Sequence, residues 1–147
     1  MDLAKQHLDI GLYTNQREEQ LAFWQQTVGL EFDHLGKLGG GVHQLRHHMN
    51  GSILKINHAR DPLAQLPPSG YRRLLIVRDG LAEVQSLRDP DGNLVDLVPN
   101  GHAGVVGIGI EIAVSDLATA KAYYVDALQF TAGEDDRVLA GDTVLFL

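Results

Sequence analysis

The chain of 147 residues contains no cysteine, which removes disulfides, thiolate zinc sites and a cysteine nucleophile at once. Positive charge is scarce: 12 Lys and Arg stand against 19 Asp and Glu, a formal net charge of -7. No basic cluster overrides that balance, so a nucleic-acid partner is not expected. No apolar stretch is long enough to span a bilayer, and no basic segment precedes an apolar run at the start, so no membrane partner is expected and the default location is the cytoplasm. Asn50-Gly51-Ser52 has the form of a glycosylation acceptor but reads better as a turn. Gly39-Gly40-Gly41 precedes a strand and not a helix, so it lacks the helix N-terminus that a phosphate loop uses. A G-x-S-x-G nucleophile elbow is absent too.

What remains is an ordinary globular composition, long enough to bury one core. "HLDIGLY" alternates as a half-buried strand, with Leu8, Ile10 and Leu12 on one face and His7, Asp9, Gly11 and Tyr13 on the other. "NQREEQLAFWQQTVGLEF" switches to helical spacing with Leu21, Trp24 and Val28 as its buried stripe. Asn15 and Glu18 have the spacing of a capping box, and Gly29 suits the left-handed end. "LEFDHL" and "GVHQLRHH" read as strands separated by a flexible Gly36–Gly41 run. Asn50-Gly51 signals a hairpin into "SILKINH". After the Pro-rich "DPLAQLPPSG", "YRRLLIV" is a strand and "EVQSLRDPDGNLVDLVP" a hairpin. That second unit lacks a helix. "GIGIEIAV", the amphipathic "SDLATAKAYYVDALQF" and two short strands in "RVLAGDTVLFL" then restart the pattern.

The restart is an internal repeat at an offset of one hundred residues. Phe23-Trp24 lies over Tyr123-Tyr124, Leu30 over Phe130 and Gly11 over Glu111. The expected architecture is α+β, built from repeated βαβββ modules whose cupped mixed sheets carry helices packed outside. The expected units are a first module at 1–60, a shortened second at 61–102 and an incomplete third at 103–147.

The pieces "AFWQQTVGLEF", "AYYVDALQF" and "RDPDGNLVDLVP" together resemble the vicinal oxygen chelate superfamily of glyoxalases, bleomycin-resistance proteins and extradiol dioxygenases. The resemblance covers nearly the whole chain. It implies paired βαβββ modules around a small-molecule site, commonly with a divalent metal. The superfamily's first-strand histidine position falls on Asp9 and its hairpin glutamate on Asp96. The position equivalent to Asp9 in the repeat is Gly109, with Glu111 two residues on, and the histidine of the second unit falls on Tyr71. The usual His/His/Glu set is therefore not intact. The resemblance also suggests a longer four-module relative.

The expected metal ligands are Asp9, Asp96 and Glu111, an oxygen-rich set suited to Mg or Mn, with Fe, Ni or Zn open if His7 contributes; no metal at all is the alternative. Asp96 shares its face with Leu94 and Val98 and needs a cation or donors to offset its desolvation. An ion pair with Arg73 or Arg88 would serve equally. His7 and Asp9 lie roughly 7 Å apart on one face. With Tyr13, Arg46, His48, Lys55 and Asn57, His7 makes up the expected ligand-binding set. "HQLRHH" is not a metal cluster, because His47 and His48 point to opposite faces and His43 and His47 are roughly 13 Å apart.

Three functions follow from the resemblance and its departures: a metal-dependent lyase, isomerase or dioxygenase; a metal-free binding protein of the bleomycin-resistance kind; or a non-catalytic fragment that acts by assembly. In each enzyme or binding reading the partner is a small molecule. The apolar "VLFL" terminus reads as an uncovered sheet edge, from which a homodimer through the C-terminal module is expected.

Overall fold

The computed structural model describes residues 5–67 and 69–147. Residues 1–4 of the expected first unit and Pro68 of the Pro-rich connection lie outside it. Strand β1 (Ile10–Thr14) leads into helix α1 (Arg17–Ala22), which continues as a π-turn over Phe23–Thr27. Strands β2 (Glu31–Gly39), β3 (Val42–Met49) and β4 (Ser52–Ala59) complete a first sheet of order β1-β4-β3-β2, with β1 parallel to β4. The second unit is β5 (Tyr71–Val77), β6 (Gln85–Arg88) and β7 (Leu94–Val98) with no helix between β5 and β6. The third is β8 (Ile108–Ile112), α2 (Leu117–Ala122, continued by a π-turn over Tyr123–Ala127), β9 (Thr131–Ala132), β10 (Arg137–Ala140) and β11 (Thr143–Phe146).

The second and third units share one sheet of order β6-β7-β5-β8-β11-β10-β9, joined by antiparallel pairing of β5 with β8. The fold is thus α+β, two mixed sheets and two short helices, with the β-α-β connectivity of the first unit repeated in the third. The repeat offset holds to the residue: α1 and α2, and the π-turns after them, begin and end one hundred residues apart. Each π-turn closes with the same bond, Val28 N–H to Phe23 O and Leu128 N–H to Tyr123 O, the wider ring that a single extra residue produces. Gly29 takes the left-handed conformation at φ 79°, and Gln129 holds the equivalent place at φ 57°.

Trp24 and Val28 are buried with Leu54 and Ile56 of the first sheet and with Leu74, Ile76, Val95 and Ile110 of the second, in one core. Alternation along the strands turns the opposite faces outward, so both helices lie on faces turned away from the cups. Trp24 also anchors a polar relay. Its indole N–H donates to Gln20 Oε1 at 2.7 Å, and the buried Gln20 amide donates to Asp91 at 2.7 Å and Asp89 at 3.2 Å. Asp89 in turn accepts from the Asn93 backbone and side chain, both at 2.8 Å. The Asp-Pro-Asp-Gly-Asn turn is therefore pinned to α1 across the interface between units.

Several sequence expectations need correction. The first strand starts at Ile10, so His7 is not on it. Gly36 lies within β2, and the Gly36–Gly41 run is a hairpin whose turn is Gly40-Gly41, both at positive φ. Asn15 does not cap α1, whose N-cap is Gln16 without a side-chain bond; it instead clamps the exit of β4, donating to Ala59 O and Asp61 O and accepting from Leu63 N–H. The third unit has three strands after its helix where two were expected, because β9 is only two residues long. Lastly, "VLFL" is not an uncovered edge: β11 sits between β8 and β10, which removes the reason for a dimer there.

Asp89→Ala should cost about 3 kcal/mol in urea unfolding, since it strips two charge-assisted bonds from Asn93 in a buried turn and the longer of the two that Gln20 donates. Asp91→Ala, which lies at the exposed side of the same turn, should cost less than half as much.

Candidate functional site

Three adjacent strands, β7-β5-β8, place Asp96, Arg73 and Glu111 on the outward, concave face of the second sheet. The register sets Arg73 opposite Glu111 and Leu75 opposite Asp96. Arg73 Nη1 donates to Asp96 Oδ2 at 2.7 Å. Its Nε lies 3.1 Å from Glu111 Oε2, an ion pair without hydrogen-bond alignment. Asp96 is only 5% exposed, so this guanidinium offsets most of its desolvation. The Asp96 hydrogen bond, set against some desolvation and aided by the two carboxylate charges, holds the Arg73 guanidinium above its ordinary pKa.

The floor beside this triad is apolar. Leu75, Val98, Val105 and Val144 form a second buried cluster with Phe146 packed against it. Val105 reaches it from the β7–β8 connection, which crosses the concave face through a short 3-10 turn at His102–Gly104. Arg137 ties that turn down by donating to Ala103 O at 2.8 Å. The resulting cavity is about 630 Å³, with Asp135, Asp136 and His102 at its rim. Its size is that of a small-molecule pocket.

The first sheet carries a separate polar face. Asp9 Oδ2 lies 2.9 Å from Lys55 Nζ, and Asp9 Oδ1 accepts from Ile53 N–H at 2.9 Å and also from Lys5. Burial opposes ionisation of Asp9, but the bonds from Lys5, Lys55 and Ile53 outweigh it and bring the carboxyl from 3.8 down to about 2. Next to it Gln44 donates to Asn57 Oδ1 at 3.0 Å, and Arg46 donates to Gln44 Oε1 at 3.3 Å. His48 stands 3.9 Å from Asp33. Tyr13 projects into solvent at 59% exposure. His7 lies away from this face, between the Asn50-Gly51 turn and Asp142, whose Oδ2 is 3.8 Å from its Nδ1. Of the expected ligand-binding residues the structure thus groups Tyr13, Arg46, Lys55 and Asn57, with His48 at the margin and His7 elsewhere.

The expected metal ligands do not converge. Asp9 lies just before β1 and is held by Lys55 and Ile53 of β4, while Asp96 and Glu111 belong to the second sheet and flank Arg73, a fixed cation where a metal would have to sit. Among the described residues no group of three or more His, Asp or Glu is placed to hold a metal ion. The superfamily's other ligand positions are closed as well. A side chain at Gly109 would meet Phe146 at 2.9 Å and Val105 at 3.0 Å. Tyr71 packs on the core, where burial and then the Asp89 charge push its hydroxyl well above its ordinary range. These residues do not fit a divalent metal. The double bridge of Arg73 and the Val105 floor rest on strand neighbours that the sequence does not specify, although Arg73 is one of the two partners it suggests for Asp96.

No protein-family model matches the chain, and no curated protein matches it by sequence. Solved structures do. A Bacillus subtilis subsp. subtilis str. 168 protein described as a putative dioxygenase superposes with a TM-score of 0.69 at 14% identity, over 96% of this chain and 63% of its own. The crystal structure of SMU.1112c gives 0.51 at 16% identity, over 65% of this chain and 98% of its own. A lactoylglutathione lyase from Agrobacterium tumefaciens gives 0.41 at 17% identity, over 62% of this chain and 90% of its own. The chain spans less than two thirds of the Bacillus protein. At such identities the likeness is one of fold alone. Among the described residues no helix is long and apolar enough to cross a membrane.

Two outcomes test the electrostatics. Arg73→Met should destabilise by about 1–3 kcal/mol, because it leaves Asp96 buried without its donor, and adding Asp96→Leu should restore much of that loss; urea midpoints of the two single and the double variant decide it. Asp9 has a folded pKa below its unfolded value, so its contribution is full above about pH 4 and disappears as pH falls through about 2. The stability gap between the parent and Asp9→Asn should therefore close across that window and stay constant from pH 5 to 8.

Proposed function

We propose that the chain is a small-molecule-binding protein that works without a metal, its site being the cup of the second sheet. The observation that carries this reading is the Arg73 bridge: it supplies, from the protein itself, the positive charge that Asp96 and Glu111 require. What is left for a ligand is an apolar floor of Leu75 and Phe146 and an acidic wall and rim. Asp96, Glu111, Asp135 and Asp136 outnumber Arg73 and Arg137 around the cavity. Such a lining favours a neutral or cationic molecule with an apolar body and hydrogen-bond donors, and disfavours an anion by like charge. Binding would place donors on the free lone pairs of Glu111 and the body against Phe146.

Lyase, isomerase or dioxygenase chemistry through a bound cation would need ligands that Arg73 already occupies. The superfamily fold therefore serves here, in this reading, as a container.

A thermal-shift screen with small aromatic amines, their matched carboxylates and divalent chlorides tests the assignment. Amines should raise the melting temperature in proportion to the logarithm of their concentration, carboxylates should not, and Phe146→Ala should abolish the response. A saturable stabilisation by Mn or Zn that is lost in Asp96→Ala would overturn it in favour of the metal-dependent enzyme.

A further inference from the structure

By register, the concave face of the second sheet is one continuous surface. One row of side chains runs Arg137, Phe146, Glu111 and Arg73 across β10, β11, β8 and β5. The row beside it runs Leu139, Val144, Gly109, Leu75 and Asp96. Yet this surface holds two cavities. Besides the one around Arg73, a second of about 440 Å³ opens over Leu139, Val144 and Ala132, and Ala103 and Arg137 line both.

What divides them is the β7–β8 connection. Its Val105 fills the middle of the second row, where only a glycine leaves space: a side chain on Gly109 would come within 3.0 Å of it. The segment around Val105 closes on itself. Gly101 N–H donates to Val105 O, His102 N–H to Pro99 O and Gly104 N–H to Gly101 O, so residues 99–105 form a self-bonded strap. Its attachment to the sheet is slight. Among the described residues, its one hydrogen bond to the rest of the chain is the one from Arg137 Nη1 to Ala103 O. Gly101 to Gly104 are exposed, and Val105 is the buried anchor. Ala103 is held at φ 47°, a conformation that costs an alanine more than a glycine. Arg137 would not be orphaned by letting go, because its Nε keeps Glu134 O and its Nη2 keeps Glu134 Oε2, both at 3.1 Å.

We propose that the strap is a gate inside a two-compartment ligand site, latched by Arg137, and that the molecule which opens it is an amine with a long apolar tail. The ligand class rests on the metal-free reading above, with the amine placed at Glu111. The tail runs from Phe146 to Val144 and Leu139, the next residues on the same face of β11 and β10. To pass, it lifts Val105 from its seat on Gly109 and takes that seat itself, so apolar burial lost by the strap is replaced by the ligand. A short amine fits the cavity around Arg73 with the strap closed. Arg137 is therefore a specificity-determining residue, setting how long a ligand must be before it pays to open the gate.

The chain has no cysteine, so one introduced thiol reports opening directly. Val105 and Val138 are both fully buried, but Val138 lies on the core side of β10 and its thiol reports unfolding of the third unit as a whole. Val105→Cys should react with a maleimide at least about tenfold faster than Val138→Cys, since the strap opens without the unit. Adding Arg137→Met should speed Val105→Cys by about tenfold again, the worth of one charge-assisted hydrogen bond, and leave Val138→Cys behind. Benzylamine and n-octylamine should both raise the melting temperature, but only n-octylamine should accelerate labelling of Val105→Cys. Equal labelling of the two thiols, an Arg137→Met variant that labels no faster at Val105→Cys, or n-octylamine that slows this labelling would each overturn the gate. If neither amine binds, the metal-free reading and the ligand class fall together, while the labelling ratios still decide whether the strap opens.

Discussion

The antiparallel pairing of β5 with β8 is the constraint on which the rest of the molecule hangs. Neither neighbour could make a cup by itself. The second unit has only three strands and no helix, and the outermost strand of the third, β9, is two residues long. Joined along Tyr71–Ile76 and Ile108–Ile112, they become a seven-stranded sheet whose two flanks curve toward each other. The seam also sets the chemistry of the concave face. Because Arg73 is on β5, between β7 and β8, it has Asp96 on one side and Glu111 on the other. Moving β8 by one residue would turn Glu111 into the core and Ile110 into the cup.

Once that register is fixed, the polar centre has little freedom. Asp96 is almost entirely buried, and a buried carboxylate without compensation is costly. Arg73 meets the need through a rigid planar group that reaches two acids at once. The same arrangement puts a cation of the protein's own between the two acids, while Gly109 lacks room for a larger side chain and Tyr71 packs on the core. The first sheet solves its own problem differently. Asp9 is satisfied by two lysines and a backbone amide, so its carboxylate is held as firmly as that of Asp96. Both acids that the resemblance singles out are thus paired with the protein's own donors.

Much of this was legible in the order of the residues, because the relevant signals are local. The switch from period two to helical spacing after Tyr13, the missing helix of the second unit and the Asp-Pro-Asp-Gly-Asn turn each depend on a handful of neighbours. The offset of one hundred residues was visible through the aromatic pairs, and it holds down to the π-turns. The failures share one cause, which is that they turn on non-local pairing. Asn15 has the form of an N-cap, but its amide finds Ala59, Asp61 and Leu63 instead. Asp9 and Asp96 both read as ligands of one metal, but no period tells which of two sheets a residue comes to lie against. Strand β11 looked like an exposed end because its neighbour β8 lies some thirty residues earlier in the chain, across a helix and two strands.

The two matching units also differ in how they are held, and this explains why the seam matters more to one than to the other. In the first, Trp24 is wholly buried and Gln20 below it grips the β6–β7 turn, so α1 is locked between its own sheet and the next unit. In the third, the corresponding Tyr124 is only partly buried at the margin of the core, stacked on Phe130 with centroids 5.9 Å apart, and no residue of α2 or its π-turn is fully buried. A six-residue helix with no buried face has little stability of its own. Its Asp116 cap, accepting from Thr119 N–H at 2.6 Å, adds about 1 kcal/mol at best. The third unit must therefore draw its order from Ile108, Ile110, Val138 and Leu145, the residues that the second sheet carries into the common core. Opening of β8 from β5 would release α2 together with the strands around it. Local unfolding in this molecule should begin at the far side of the third unit and stop at the β5–β8 seam, where Leu74, Ile76, Ile108 and Ile110 are buried in the common core.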